Sequence, residues 1–323
     1  MTRRANLNVV VAATVLFAMA CSEDFEAFTD VTKLRVLAIQ SEPAELMPGE
    51  IGQLSALVAA DDNASVTYQW SWCPVATSAI MGHECPVTEE MLLAAIAQNG
   101  GGAFEIPEGV SLFDLGTSQT AVFPFIIGAD VLQIACTQLV AQAGDQLPFL
   151  PDCEGSLDTT VKLVVNDGVD EVVVVKQLNL LLSESLIANR NPALGTLTAS
   201  DSEGVSITLE EAPGTLVSQH GYELAVSLSP QVSESFETTD VETGAIVIDR
   251  ESLFMTWFIS GGETEYGRTS YIPGETEFDK LRLNTWWPPR VAESDGTATL
   301  YLVLQDERGG TSWLTRTVQL QER

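Results

Sequence analysis

The sequence predicts a mainly β protein of two tandem β-sandwiches, the first with a disulfide-stapled helical insertion. Three observations predict it. Apolar and polar residues alternate over runs of roughly seven to ten residues, the period of a half-buried strand. A tryptophan stands in such a run in each half, Trp70 and Trp257. Each half closes on two strands flanking an acidic, glycine-containing turn, Asp167-Gly168 in one and Asp306-Glu307-Arg308-Gly309-Gly310 in the other. The chain has 323 residues, enough for two domains of about 150 each after removal of a leader.

The leader is residues 1–20. Arg3 and Arg4 precede an apolar run over 9–20, and small residues then lead to Cys21. A basic start, an apolar middle and a small-residue exit make a secretory signal peptide. The run is about a dozen residues, too short for a ~30 Å hydrocarbon core, which needs about 20. Ala18-Met19-Ala20-Cys21 resembles the bacterial lipoprotein box, with Ala18 where leucine is usual. That resemblance implies that Cys21 is diacylated, labelled by palmitate, and becomes the mature N-terminus. Ser22 follows it instead of aspartate, which implies the outer membrane. The alternative is an ordinary leader that leaves Cys21 as a thiol. Residues 21–32 are polar and acidic, with Phe25 and Phe28 scattered among them, and read as a tether.

Acidic residues number 45 and basic residues 15, for a net charge of −30, and the leader removes two of the basic ones. Such a surface repels nucleic acid and anionic lipid headgroups, and it suits basic partners or divalent cations. With 45% hydrophobic residues the chain is not an acidic disordered tail. Assigning Cys21 to lipid leaves Cys73, Cys85, Cys136 and Cys153, an even set suited to bridges in an oxidising compartment. Four cysteines allow three connectivities, of which proximity favours Cys73–Cys85 and Cys136–Cys153. The alternative is a zinc site from Cys73, His83, Cys85 and a later cysteine.

The first domain is expected over 33–182. Residues 33–39 make a mostly apolar strand, buried on both sides or at an end, and Pro43 and Pro48-Gly49 stop it. Residues 53–60 form a second strand with Leu54, Ala56 and Val58 on one face. Residues 66–73 form a third, with Tyr68, Trp70 and Trp72 pointing one way. The insertion, about 74–153, opens with Thr88 as a cap, Glu89 and Glu90 at the positive end of a dipole, and a helix to residue 97. Residues 117–127 read as strand, and 129–143 have helical spacing. Strands over 159–166 and 169–180 flank the Asp167-Gly168 turn. Residues 183–192 form a linker.

The second domain, 193–323, repeats this order. Residues 193–199 open it, 222–228 alternate, and 253–259 carry Trp257. Strand 281–287 ends at Pro288-Pro289, and strands 297–305 and 311–320 close it. The repeat period is about 140–150 residues, longer than that of a solenoid.

Short strands, a mid-domain tryptophan and a closing hairpin resemble immunoglobulin-like or PKD-like modules of bacterial surface proteins. The inter-sheet disulfide of antibody domains is missing here, and the cysteines lie in or beside the insertion. The opening residues 33–50, after the lipoprotein box, together with Trp72-Cys73-Pro74, also resemble a group of predicted lipoproteins of myxobacteria and their relatives. The likeness covers residues 21–74 best and implies no activity.

Catalytic motifs are lacking: the chain contains no GxSxG, HExxH or P-loop spacing, and His83 and His220 are its two histidines. His83 reads as a loop residue and His220 as a turn residue. Calcium is the cofactor candidate, on Asp167 and Asp170 in one turn and Asp201 and Glu203 in another, with Asp61, Asp62 and Asn63 as a further turn. Acidic turn residues also serve turns alone. Two surfaces are candidates for binding. One is the stapled insertion, which otherwise covers a sheet edge. The other is Tyr266, Tyr271, Trp286 and Trp287, an aromatic group suited to sugar rings. Trp286 and Trp287 are adjacent in a strand and must face opposite ways.

The function expected is that of a lipid-anchored, non-enzymatic envelope protein that binds a protein or glycan or serves a structural role. The alternative is an extracytoplasmic hydrolase such as a glycosidase, which needs a cleft holding paired carboxylates.

Overall fold

The computed structural model describes residues 28–47, 49–60, 64–75, 82–98, 111–124, 128–143, 153, 155–183, 186–210, 214–239, 243–291 and 294–322. In the first domain, β1 (Arg35–Glu42), β2 (Ile51–Ala59) and β5 (Thr120–Pro124) form one sheet in the order β1-β2-β5. β3 (Thr67–Cys73), β4 (Asp114–Gly116), β6 (Ser156–Asn166) and β7 (Glu171–Leu181) form the other in the order β4-β3-β6-β7. The aromatic stripe of β3 explains why the two sheets close on each other. Trp70 and Trp72 are buried between them, and Trp72 packs on Phe113 and Phe123 at centroid distances of 5.7 and 5.2 Å. The Trp70 indole donates to the Ser118 carbonyl at 2.8 Å, which meets the need of a buried N–H.

The expected helices form as α1 (Glu89–Gln98) and α2 (Ala129–Ala143). Thr88 Oγ1 caps α1 by accepting from the Met91 amide at 3.2 Å. The insertion is less separate than its composition suggests. Of the strand expected over 117–127, β5 forms from Thr120, residues 125–127 lie outside the described residues, and β4, just before it, belongs to the other sheet. Gly116, with φ 105°, and Ser118, held by Trp70, lie where the chain crosses between them. Leu92, Leu132 and Cys136 are buried in the same core as Trp70, so the helices wall the sandwich. Disulfides join Cys73 to Cys85 and Cys136 to Cys153. The sulfurs that the zinc alternative requires are therefore taken.

In the second domain, β8 (Leu197–Ser200), β9 (Ser206–Leu209), β11 (Tyr222–Val226), β15 (Glu263–Thr264) and β17 (Leu283–Trp287) form a sheet in the order β15-β17-β11-β8-β9. β10 (Gly214–Val217), β14 (Leu253–Ile259), β16 (Arg268–Tyr271), β18 (Thr297–Asp306) and β19 (Thr311–Gln321) form the other, β10-β19-β18-β14-β16. A hairpin of β12 (Ser235–Thr239) and β13 (Ile246–Arg250) belongs to neither sheet. The strand expected over 281–287 starts as a helical turn, α3 (Phe278–Arg282), because Leu281 is drawn into the core before the strand begins. Trp257 is buried, and its indole donates to Thr269 Oγ1 at 2.9 Å; Thr269 in turn donates to the Leu281 carbonyl at 2.6 Å.

The sequence repeat is a repeat of topology. In the first domain β1 pairs with β2, and the chain then crosses so that Leu46 bridges Leu180 in parallel. In the second, β8 pairs with β11 and β10 runs parallel to β19.

The two sandwiches lie face to face. Ala38 and Leu57, on the outer side of the first domain's β1–β2 sheet, are buried against Val303, with Leu37, Phe258, Tyr301 and Trp313 around them. This is why the first strand is apolar on both faces. Residues 28–32, the end of the segment read as a tether, are also docked. The Val31 amide donates to the Ile259 carbonyl at 2.8 Å, and the Ile259 amide donates to Thr29 at 3.0 Å. Phe28 meets Phe258 edge-on at 6.5 Å, and the Arg35 guanidinium donates to the carbonyls of Phe28 and Asp30.

Val303→Asp places an unpaired carboxylate in this dry seam, a change that costs about 3 kcal/mol or more. Calorimetry is expected to show the single transition of the parent replaced by separate transitions of the two domains. Thiol alkylation without reductant is expected to leave Cys73, Cys85, Cys136 and Cys153 unmodified, as read by mass spectrometry.

Candidate functional site

One end of the seam is a polar clamp built on the β18–β19 turn. Asp306 Oδ1 accepts from the Arg308 and Gly310 amides at 3.0 and 2.8 Å and so shapes the turn. Gly309 has φ 93°, and a Cβ on Gly310 would lie 2.1 Å from Asp306 Oδ2 and 2.9 Å from the Arg190 carbonyl, which requires glycine at both places. Arg308 then reaches four polar partners and one ring. Its Nε meets Glu251 Oε1 at 2.7 Å, and its Nη2 meets Asn189 Oδ1 at 3.0 Å and Glu234 Oε2 at 3.5 Å. Its Nη1 lies 3.9 Å from Glu45 Oε2, and its guanidinium stands 5.0 Å above the Phe236 ring.

The linker completes the clamp. The Asn189 amide donates to Glu45 Oε2 at 2.7 Å, and Asn189 Nδ2 donates to Asp306. Asn191 Nδ2 donates to the Ser41 carbonyl and Glu42 Oε2, both at 2.7 Å, while Asn191 Oδ1 accepts from the Thr311 amide at 2.8 Å. Residues 189–191 thus act as a joint that binds both domains. From the first domain, Lys176 Nζ donates to the Gly309 carbonyl at 2.6 Å.

Burial, then the charge of Glu251, pushes the Asp306 carboxyl up to about 6, against the opposing donations of Gly310, Asn189 and Arg308. Burial pushes the Lys176 ammonium down to about 8, against the charge of Asp306.

A second feature is an open cleft of about 580 Å³ at the side of the second domain, between β16, β17 and α3. Tyr266, 53% exposed, stands at its rim. Beneath it Asn284 is buried in β17 and makes both backbone bonds of Tyr266: its Nδ2 donates to the Tyr266 carbonyl at 2.7 Å, and its Oδ1 accepts from the Tyr266 amide at 3.1 Å. The Glu265 carboxylate, hydrogen-bonded to the Tyr266 hydroxyl and negatively charged beside it, raises the phenol above its usual range. Glu223, Thr285 and Glu265 lie side by side on adjacent strands, and Thr285 Oγ1 donates to Glu265 Oε2 at 3.0 Å. Arg268, stacked over Phe254 at 4.6 Å, and Lys280 supply the positive charge of the lining.

The predicted aromatic group is divided by this geometry. Trp286 is fully buried with its indole donating to the Gly261 carbonyl at 3.2 Å, and Tyr271 packs on Phe278 at 5.3 Å. Tyr266 and Trp287, 40% exposed, are the two exposed members, and Tyr271 is half-buried. The calcium candidates stay in separate turns. Asp167 Oδ1 accepts from the amides of Val169 and Asp170, and Asp201 Oδ1 from those of Glu203 and Val205. Among the described residues no three acidic, histidine or cysteine side chains gather as metal ligands. Asp61, Asp62 and Asn63, like Cys21, lie outside the described residues. His83 adopts φ 57°, and His220 packs edge-on against Tyr222 at 5.4 Å.

Sequence reasoning missed Asn284, Arg308 and Glu251. Asn284 carries a readable signal, since it shares the inward parity of Trp286 in an otherwise apolar position. Arg308 carries none, because an arginine in an acidic turn looks solvated until the other domain is placed.

No protein-family model matches the chain, and no curated protein matches it. Among solved structures it is similar to dimeric latent PorU from Porphyromonas gingivalis, at 10% identity over 91% of this chain and 24% of that one, with a TM-score of 0.21. It is similar to the tandem Ig repeats of Dlar at 10% identity, over 90% of this chain and 98% of that one, with a TM-score of 0.21. It is also similar to the D00-D0 domain of Intimin at 11% identity, over 90% and 98% of the two chains, with a TM-score of 0.19. The chain spans about a quarter of the length of PorU. The two sandwiches are defined by this chain's own strand pairing.

An acid whose folded value is raised favours the fold below its unfolded value, near pH 4, and loses that contribution as pH rises through about 6. The cost of the ionised form is roughly 3 kcal/mol at most. Asp306→Asn keeps an oxygen for the Arg308 and Gly310 amides and removes the titration. The variant is expected to lose less thermal stability than the parent between about pH 4.5 and 7.5, measured as Tm against pH.

Proposed function

We propose that this chain is a lipid-anchored, non-enzymatic protein of the cell envelope, held at the outer membrane by Cys21 and serving a binding or structural role. The observation that carries the reading is the placement of the N-terminal segment. Residues 29–31 join Ile259 at one end of β14, whereas the clamp faces Leu253 and Asp306 at the other end. An anchor at Cys21 is seven positions before Phe28, a reach of at most about 25 Å. It would tether the molecule by one pole and leave the clamp pole free. Two disulfides support export to an oxidising compartment. No helix among the described residues is long and apolar enough to cross a membrane.

The side cleft supports a glycan as one class of ligand. A braced, exposed tyrosine offers a ring face, and Glu223, Glu265 and Thr285 offer acceptors and donors to sugar hydroxyls. The same carboxylates give the glycosidase alternative little support. Glu223 and Glu265 stand exposed, whereas the proton donor of such an enzyme is sheltered in apolar surroundings.

Cells grown with labelled palmitate are expected to yield labelled wild-type protein and unlabelled Cys21→Ala. Exported wild-type protein that carries no label would refute the anchor.

A further inference from the structure

The β12–β13 hairpin breaks the burial rule that the rest of the second domain obeys. β13 is exposed along its whole length, with Ile246 73% and Ile248 77% accessible. The register pairs Glu237 with Ile248, Thr238 with Val247 and Phe236 with Asp249. Alternate residues of a strand share a face. Phe236, beneath Arg308, therefore turns the face of Val247 and Asp249 toward the clamp, and the face of Ile246 and Ile248 turns to water. Among the described residues β13 hydrogen-bonds one neighbouring strand, β12, and no strand lies along its other edge. Exposed edges are ordinarily protected by charged side chains, proline or a bulge. In the stretch Ile246-Val247-Ile248-Asp249-Arg250 the first three residues carry no charge, none is proline, and the register is unbroken. Its one cation is occupied, since Arg250 donates to the Pro230 carbonyl at 2.6 Å and to Ser233 Oγ at 3.1 Å.

The base of the hairpin is firmly held. Ser233 Oγ donates to the Glu251 carbonyl at 2.7 Å, the Glu234 amide to Glu251 Oε2 at 2.9 Å, and the Glu251 amide to the Glu234 carbonyl at 2.9 Å. β14 follows at once and carries the chain to Ile259, where the N-terminal segment docks. The open edge and the N-terminal segment are thus at opposite ends of one strand.

We propose that β13 is a docking edge for an extended, basic segment of another protein, which adds to it as a strand. Apolar side chains of that segment would cover Ile246 and Ile248, and its intervening lysines or arginines would meet Asp249 on the other face. Charge selects this occupant. Two copies of a chain of net charge −30 repel each other, whereas a basic segment is drawn to it. The proposal rests on the binding half of the function above and is independent of the lipid.

The test uses the mature chain carrying Cys21→Ala and two fluorescent peptides of about nine residues, one alternating valine with lysine and one alternating valine with glutamate. The lysine peptide is expected to bind, by anisotropy, at least roughly tenfold more tightly than the glutamate peptide. Ile246→Thr with Ile248→Thr keeps charge and strand propensity, and an unchanged Tm shows the fold intact; it is expected to weaken the lysine peptide by roughly tenfold. Absence of binding, equal binding of both peptides, or binding that the double substitution leaves unchanged overturns the proposal. So does sedimentation showing a wild-type dimer that the substitution dissolves. Palmitate labelling is read separately, so loss of the anchor and loss of the docking edge are told apart.

Discussion

The seam between the two sandwiches is the constraint from which the other features follow. A three-stranded sheet that buries its inner face leaves an outer face to account for. Here Leu37, Ala38 and Leu57 make that face apolar, and it is covered by Phe258, Tyr301, Val303 and Trp313 of the second domain. Apolar contact of this kind is non-directional and does not by itself set an angle between domains. The polar groups at its two ends do so. Arg308, Asp306, Asn189 and Glu45 fix one end, and the bonds of Thr29 and Val31 to Ile259 fix the other.

The fixing is made from groups that are costly to bury. Glu45, Glu251 and Asp306 are nearly inaccessible, and Arg308 and Lys176 do not match them charge for charge. A buried ionic cluster contributes little net stability, and its best-attested use is to specify one arrangement. That use fits here, because every member faces a partner from another part of the chain. In addition, the clamp and the β12–β13 hairpin share residues: Phe236 lies under Arg308, and Glu251 holds both Arg308 and the hairpin base. The exposed β12–β13 hairpin thus stands on a buried, hydrogen-bonded base.

Much of the fold was legible because it depends on local pattern. The parity of Tyr68, Trp70 and Trp72, the cap at Thr88 and the hairpin at Asp167-Gly168 are each determined by a few neighbouring residues, and the structure has all of them. The pairing of the cysteines was legible for the same reason, since each bridge closes a short loop. What escaped was non-local. The strand expected from residue 117 starts only at Thr120, because residues 117–119 carry the chain from one sheet to the other, with Ser118 held by the Trp70 indole forty-eight positions earlier. The Asp306–Gly310 turn looks like its counterpart at Asn166–Gly168 yet buries Asp306 and Gly310, because the second copy meets another domain and the first meets water. The aromatic group was half legible: parity required Trp286 and Trp287 to diverge but did not say that Trp286 is the core residue.

Synthesis runs from the N-terminus, and the seam is written across the whole chain. Leu37 and Leu57 are made long before Val303 and Trp313. A first sandwich that closes on its own inner core therefore waits, while β14 to β19 are made, with an apolar outer sheet and with residues 29–31 lacking their Ile259 partner. Contacts of such long sequence separation form slowly. Until they form, the nascent chain displays the kind of surface on which holding chaperones act and through which neighbouring chains cross-associate. A net charge of −30 makes copies of the chain repel one another, and that repulsion opposes such cross-association.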